Sequence, residues 1–457
     1  MLPTSLQKGS TLKPSFAQRR RTTGLFLQGC DWVVTQNPDR EVLRNSSVSI
    51  DDSGTIRDMG ITHGSGKDEV IDCRGKVLIP GLINTHTHLS MTLFRGYADD
   101  LELQQWLEKK IWPLEKRLTG EMCYFGALLG AMEMTRTGTT CFVDMYFHME
   151  DVARATEEAG LRGILSYGMI DPPTHEGKEK ERKSSLKLLQ HVRAMKSPRI
   201  SFAFGPHSPY TCGEETLLWC RKEAEKENVL VNIHVAETRG EQAKFERDKK
   251  SREVDYLDKI GFLGDRVLAA HSVWLTKSEV KLYGKRGVRV AHCPVSNMKL
   301  AGGSVAPLPE MWEAGVPVGL GTDGPASNNS LDMFDTMKIC ALSHKAHRWD
   351  ATIPNAQKVL DMATIDGARA IGKEKEIGSI EKGKRADLIL VDLKEPSMMP
   401  IHGKETVVSD LVYSASGYNV DTTIVDGRLL MKNRKYAMLD PAKIDEGVSA
   451  SVRRLMQ

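Results

Sequence analysis

Two rhythms of apolar residues run along this chain. Between about residues 77 and 321, short runs rich in Val, Ile, Leu and Ala alternate with longer stretches whose apolar positions recur every three or four residues. Short apolar runs suit strands buried on both faces, and the three-to-four spacing suits amphipathic helices. Eight candidate strands can be marked, at 77–83, 139–145, 162–168, 200–204, 229–233, 267–270, 288–291 and 316–321. Intervening stretches such as 121–137 and 214–227 have helical length and periodicity. This alternation predicts parallel α/β structure. Eight units over roughly 290 residues match a closed (β/α)8 barrel in size. An open doubly wound sheet competes, but no GxGxxG follows an early strand.

The flanks have a different character. Leu25-Phe26-Leu27, Asp31-Trp32-Val33-Val34, Ser47-Val48-Ser49-Ile50 and Val70-Ile71 are short strand signals separated by turn residues. Residues 386–392 and 422–427 repeat that character near the other end. Neither flank is long enough to bury a core by itself. They are therefore expected to join in one small β-sandwich. The division reads as an arm at 1–22, a composite β-sandwich from 23–79 and 376–457, and a catalytic barrel at 80–375.

Composition narrows the function classes. The 457 residues are 40% hydrophobic and 27% charged, as in a globular enzyme. No apolar run reaches the roughly 18 residues of a membrane helix. The net charge of +3 is concentrated in the arm, where Lys8, Lys13, Arg19, Arg20 and Arg21 face no acid. The nearly neutral remainder gives no reason to expect nucleic acid or a membrane as a partner. The arm reads as a flexible tail, with an organelle transit peptide or a misplaced start as alternatives. Eight scattered cysteines without a CxxC pair fit a reducing, cytoplasmic setting. A homo-oligomer is compatible with the sequence.

Chemistry collects at the C-terminal ends of barrel strands, where the loops converge on one mouth. The strand ends here carry His86 and His88, His207, His234 with Glu237, His271, His292, and Asp323. The His-x-His spacing on an extended segment puts both imidazoles on one face. With His86 and His88 on one ion, His234 and Asp323 can supply the remaining ligands across the mouth. Three imidazoles and a carboxylate suit Zn²⁺ or Fe²⁺ and leave a position for water. The fourth strand, Ser201-Phe202-Ala203-Phe204, has no lysine to bridge a second metal, so one ion per chain is expected.

Residues 80–88 (PGLINTHTH), His234-Val235-Ala236-Glu237 and Gly321-Thr322-Asp323-Gly324 resemble the amidohydrolase superfamily. Met91-Thr92-Leu93-Phe94-Arg95-Gly96, Trp112-Pro113-Leu114-Glu115 and Gly205-Pro206-His207-Ser208-Pro209-Tyr210 resemble its aminohydrolase branch, the 5-methylthioadenosine/S-adenosylhomocysteine deaminases. The resemblance spans residues 24–436. It implies hydrolytic deamination of adenosine derivatives, with His86, His88, His234 and Asp323 on the metal. Asp323 would take a proton from the attacking water and His271 would orient that water, or support it from behind. Glu237 would protonate the ring nitrogen, its alternative being a cap for the next helix. The resemblance further implies Glu115 and His207 as nucleoside contacts. Trp106 stacks on the substrate or belongs to the core. Of two family arginines for the substrate tail, one is replaced by Tyr167 before Gly168, and the other, by its distance from His207, falls on Arg182, in a charged run at 178–183 that alternatively reads as a solvated helix start. A deaminase of free bases such as guanine, a triazine hydrolase and a non-catalytic binding barrel are the competing readings.

Overall fold

A computed structural model describes residues 23–60, 64 and 66–457. The expectations for the basic arm lie outside the described residues. Five strands come first: β1 (Leu25–Val34), β2 (Val42–Ile50), β3 (Ile56–Met59), β4 (Glu69–Asp72) and β5 (Lys76–Pro80). Eight more alternate with helices: β6 (Leu82–Thr87), β7 (Thr139–Tyr146), β8 (Arg162–Met169), β9 (Ile200–Pro206), β10 (Leu230–Val235), β11 (Val267–His271), β12 (Arg289–His292) and β13 (Val318–Leu320). Four follow the barrel: β14 (Leu388–Asp392), β15 (Val420–Val425), β16 (Arg428–Lys432) and β17 (Lys435–Tyr436).

Strands β6 to β13 pair in chain order into one parallel sheet, the (β/α)8 barrel that the apolar rhythm predicts. Its two end strands meet through polar groups. Thr85 Oγ1 donates to Leu320 O at 2.9 Å, Asn84 Nδ2 to Thr322 Oγ1 at 2.7 Å, and Asp323 N to His86 O at 3.0 Å. Glycine is required at 319, because a Cβ there would lie 2.4 Å from the Thr85 side chain.

The flanking strands form a nine-stranded mixed sheet, ordered β17-β16-β15-β14-β5-β1-β2-β3 with β4 beside β1. One expected strand is divided. Residues 77–80 belong to this sheet, where β5 lies between β14 and β1, and the barrel begins at Leu82. Gly81 makes the crossing, with no room for a Cβ against Thr140. Conversely, the two short signals at 25–27 and 31–34 are one strand. A register shift between Leu27 and Cys30, with Gly29 at φ +69°, makes the bulge that interrupts the pattern. The C-terminal helix Pro441–Met456 packs against the barrel helix Gly120–Thr137.

A buried ion pair links barrel and sheet. Arg162, at the start of β8, reaches Asp387 with Nε at 2.8 Å and Nη2 at 3.1 Å. Removing one partner leaves the other charge buried alone, which costs about 3–5 kcal/mol. Arg162→Ala is therefore expected to lower the unfolding midpoint in denaturant, while Arg428→Ala, on the neighbouring sheet strand and half exposed, serves as the milder comparison. An unchanged midpoint for Arg162→Ala would show that the pair is not a structural tie.

All eight cysteines are buried and unpaired by disulfides. Among the described residues no helix is long and apolar enough to cross a membrane.

Candidate active site

The barrel brings the strand-end residues singled out above to one mouth. His88, His207, His234, Glu237, His271 and Asp323 line a single cavity, and His86 lies directly beneath with its ring 4.9 Å from that of His88. The backbone is bent where several of them leave the sheet. Ala236, His271 and Asp323 have φ of +52°, +69° and +61°. Left-handed backbone costs a non-glycine residue about 1–2 kcal/mol, and such strain is characteristic of functional positions held by their surroundings.

The donor set fits a cation. His86 is fully buried, and neither of its ring nitrogens has a hydrogen-bond partner. An orphaned buried N–H or acceptor costs about 1–3 kcal/mol. His88 Nδ1 donates to Met145 O at 2.6 Å, and His234 Nδ1 donates to His207 O at 2.7 Å. Those bonds fix the tautomers so that both Nε2 atoms present lone pairs. The two Nε2 atoms are only 3.3 Å apart, and Asp323 Oδ1 lies 3.2 Å from that of His88 and 3.7 Å from His86 Nε2. Lone pairs and a carboxylate converging on one point need a positive charge between them. Burial opposes a charge on His88, yet the Asp323 carboxylate outweighs it and lifts His88 to about 9, so that a proton on Nε2 meets the same demand for positive charge that a cation held by that lone pair would meet. Burial keeps His86 and His234 well below the ordinary histidine value, hence neutral. His292 lies apart from this group, its Nε2 bonded to that of His344 at 3.0 Å.

Glu237 has the electrostatics of an acid. Burial first, and the Asp323 charge second, push its carboxyl up to about 8, so it is protonated at neutral pH. Its Oε2 is 3.8 Å from His271 Nε2. Thr238, in a capping box with Glu241, caps the helix Arg239–Lys249, so Glu237 is not that helix's cap. His271 Nδ1 is hydrogen-bonded to the Asn297 amide at 2.9 Å, leaving Nε2 for the cavity. Burial lowers His271 to about 4. Burial works against the Asp323 carboxylate as well, but the imidazoles around it, His88 first, hold it well below the usual range. Asp323 Oδ2 also accepts from Ser327 Oγ at 2.8 Å.

Helical residues 103–115 form a wall of the cavity, with a wide π turn at Leu107–Ile111. They contribute Trp106, Trp112 and Glu115 to the lining. Glu115 Oε1 accepts from Tyr146 Oη at 2.8 Å, and burial raises its carboxyl above the ordinary value. Trp106 is both core and wall: it is buried, lines the cavity and donates to Ala98 O at 2.9 Å. His207 shares a hydrogen bond with Thr211 Oγ1 at 2.9 Å, and burial lowers it to about 3.

Arg182 is a correction, because it reaches neither this cavity nor the one beside it. Its guanidinium pairs with Glu179 and Glu215, each at 2.8 Å, and lies over the Trp219 ring. Helical spacing explains the miss. Within the helix His175–Met195, positions 180, 184 and 187 share a face, and position 182 points the opposite way. Lys180, Ser184 and Lys187 do line a second cavity of about 850 Å³, which shares Trp112, Glu115, Phe147 and Ile170 with the first. Tyr167 lines it too, donating to Glu181 Oε1 at 3.3 Å. Sequence reasoning also passed over Tyr146, Asn297 and Ser327. Tyr146 and Ser327 lie in stretches, 143–148 and 321–331, that resemble the family, but neither had a role assigned.

Comparison with known proteins gives consistent neighbours. The model of the amidohydrolase family matches residues 77–430. A 5'-deoxyadenosine deaminase of Methanobrevibacter smithii is 48% identical over 86% of this chain and 90% of its own. A 5-methylthioadenosine/S-adenosylhomocysteine deaminase of Thermococcus sibiricus is 46% identical over 83% of this chain and 88% of its own. The crystal structure of an adenosine deaminase from Xanthomonas campestris with bound zinc superposes with a TM-score of 0.89 at 35% identity, covering 95% of this chain and 99% of that one.

Proposed function

The chain belongs to the amidohydrolase family, and on that premise we propose that it hydrolytically deaminates adenosine derivatives to the inosine analogue and ammonia. One observation carries the reading. The buried Glu237 carboxyl, pushed up to about 8 by burial, shares a cavity with a cation-demanding cluster and with a second carboxyl group, Glu115, suited to ribose hydroxyls. The names of the deaminase relatives and the zinc in the adenosine deaminase structure support it.

His86, His88, His234 and Asp323 would hold one Zn²⁺, with Fe²⁺ compatible with the same ligands, and such an ion lowers the pKa of water to about 7. The protein's own groups then move the protons. Asp323 accepts one from the water, whose orientation His271 Nε2 sets. Glu237 gives its proton to the ring nitrogen beside the amine-bearing carbon, drawing electrons from that carbon as the water oxygen bonds to it. Asp323 passes its proton to the amine, the carbon–nitrogen bond breaks, and ammonia leaves. The remaining hydroxyl proton returns to Glu237, restoring both carboxyl groups. Glu115 and His207 would hold the nucleoside against the wall of residues 103–115. The buried, unpaired cysteines fit a cytoplasmic setting.

The second cavity would take the 5' substituent. Lys180 makes no ion pair within 4.0 Å among the described residues, whereas Lys187 pairs with Glu150 at 2.9 Å. Lys180→Ala is expected to raise KM for S-adenosylhomocysteine roughly 3–10-fold and to leave that for 5'-methylthioadenosine unchanged. Equal effects on both substrates would remove Lys180 from tail recognition.

Ammonia release from S-adenosylhomocysteine, 5'-methylthioadenosine, 5'-deoxyadenosine, adenosine, adenine and guanine tests the assignment. Activity confined to the nucleosides is expected. Activity on guanine alone, or on none of them, would overturn the assignment.

A further inference from the structure

Glu237 leaves β10 through a strained turn, and what holds that turn lies outside the cavity. Ala236, in left-handed backbone, donates its N–H to Glu253 Oε2 at 2.7 Å. The N–H groups of Glu237 and Thr238 both donate to Glu241 Oε2, each at 3.1 Å. Three consecutive backbone donors are thus taken by two carboxyl groups. Holding Thr238 is the ordinary duty of Glu241 as the reciprocal member of its capping box. Its bond to Glu237, and the whole contact from Glu253, exceed what the cap needs.

Glu253 opens the helix Glu253–Lys259 and is completely buried. The second oxygens, Glu241 Oε1 and Glu253 Oε1, meet no N–H or O–H donor. Burial pushes both carboxyl groups up, Glu241 to about 8 and Glu253 well above the ordinary carboxylate value, and each acts on the other. Two carboxylates buried together cannot both ionise. Neither residue touches the cavity.

We propose that Glu241 and Glu253 clamp the backbone of residues 236–238 and so set where the Glu237 carboxyl points. They are positioning residues. Their catalytic effect rests on the reading of Glu237 as the acid that protonates the substrate. Because proton transfer demands hydrogen-bond geometry, a displacement of about 1 Å costs about 100-fold in rate. Loosening the turn should therefore lower kcat with little change in KM.

The test compares Glu253→Gln with Glu253→Leu in the full-length, metal-loaded enzyme. Glutamine keeps an oxygen for the Ala236 N–H and offers an N–H to Glu241, so kcat should stay within about threefold of the parent. Leucine removes both bonds. Its kcat should fall about 100-fold, with KM changed less than about threefold and metal content unchanged. Hydrogen exchange at the amides of 236–238 should accelerate in the leucine variant and not in the glutamine variant. This readout needs no turnover. If the parent deaminates no adenosine derivative, selective loss of protection still supports the clamp while the functional reading fails. Glu241→Ala, at a partly exposed position, should reproduce the leucine pattern should that variant not fold. Parental kcat and protection in the leucine variant would overturn the clamp. So would equal damage from glutamine and leucine, because hydrogen bonding would then not be what matters.

Discussion

Glu237→Gln is expected to retain its metal and its fold while kcat falls by about 10²–10⁴-fold, the usual worth of a positioned acid–base group. The amide keeps the shape and size of the side chain but carries no transferable proton. Glu237 is no part of the donor set, so metal analysis should match the parent. The pH profile makes the same point. In the parent, the acid form of Glu237 is present below its pKa and lost above it, so kcat/KM, which reports the free enzyme, should decline on the alkaline side, towards about 8. Burial is the largest cause of the shift, ahead of the Asp323 charge. The residual activity of the glutamine variant should lack the limb. A variant with parental kcat would mean that another group protonates the ring.

Asp323→Asn is expected to damage metal retention and turnover together. Asp323 supplies the one negative charge in the cluster, within 3.7 Å of two imidazole nitrogens. Loss of a mere supporting partner costs about 10–100-fold in metal affinity or activity, and loss of the charged ligand should exceed that. Asparagine also cannot accept the water's proton or return it to the amine. Metal content after dialysis against a chelator, read beside kcat, checks both losses. Full metal with parental turnover would remove Asp323 from the site.

Much of this site could be read from the sequence because a parallel barrel converts chain order into geometry. Once eight strands are marked, every residue just past a strand lies at one mouth, and His86, His88, His234, His271 and Asp323 assemble without further information. The limits have the same physical origin. Arg182 is singled out only by its sequence distance from His207, and on its helix it lies on the face opposite Lys180, which lines the second cavity. The run at 77–83 is one apolar stretch in sequence, and only strand pairing, with Gly81 packed tightly against Thr140 at the crossing, shows that it changes sheets. The roles of Tyr146 and Asn297 could not be read because their partners, Glu115 and His271, are distant in sequence. Glu253 was hidden for the same reason, since a lone acid opening a surface helix gives no sign of a backbone donor 17 residues earlier.

The central claim is that water replaces the exocyclic amine of an adenosine derivative in this cavity. Turnover of 5'-deoxyadenosine in heavy-oxygen water, read by mass spectrometry, tests it most directly. The account predicts one heavy oxygen on the purine ring of an intact nucleoside product, with ammonia released in equal amount. Free adenine, or a product without the label, would contradict it.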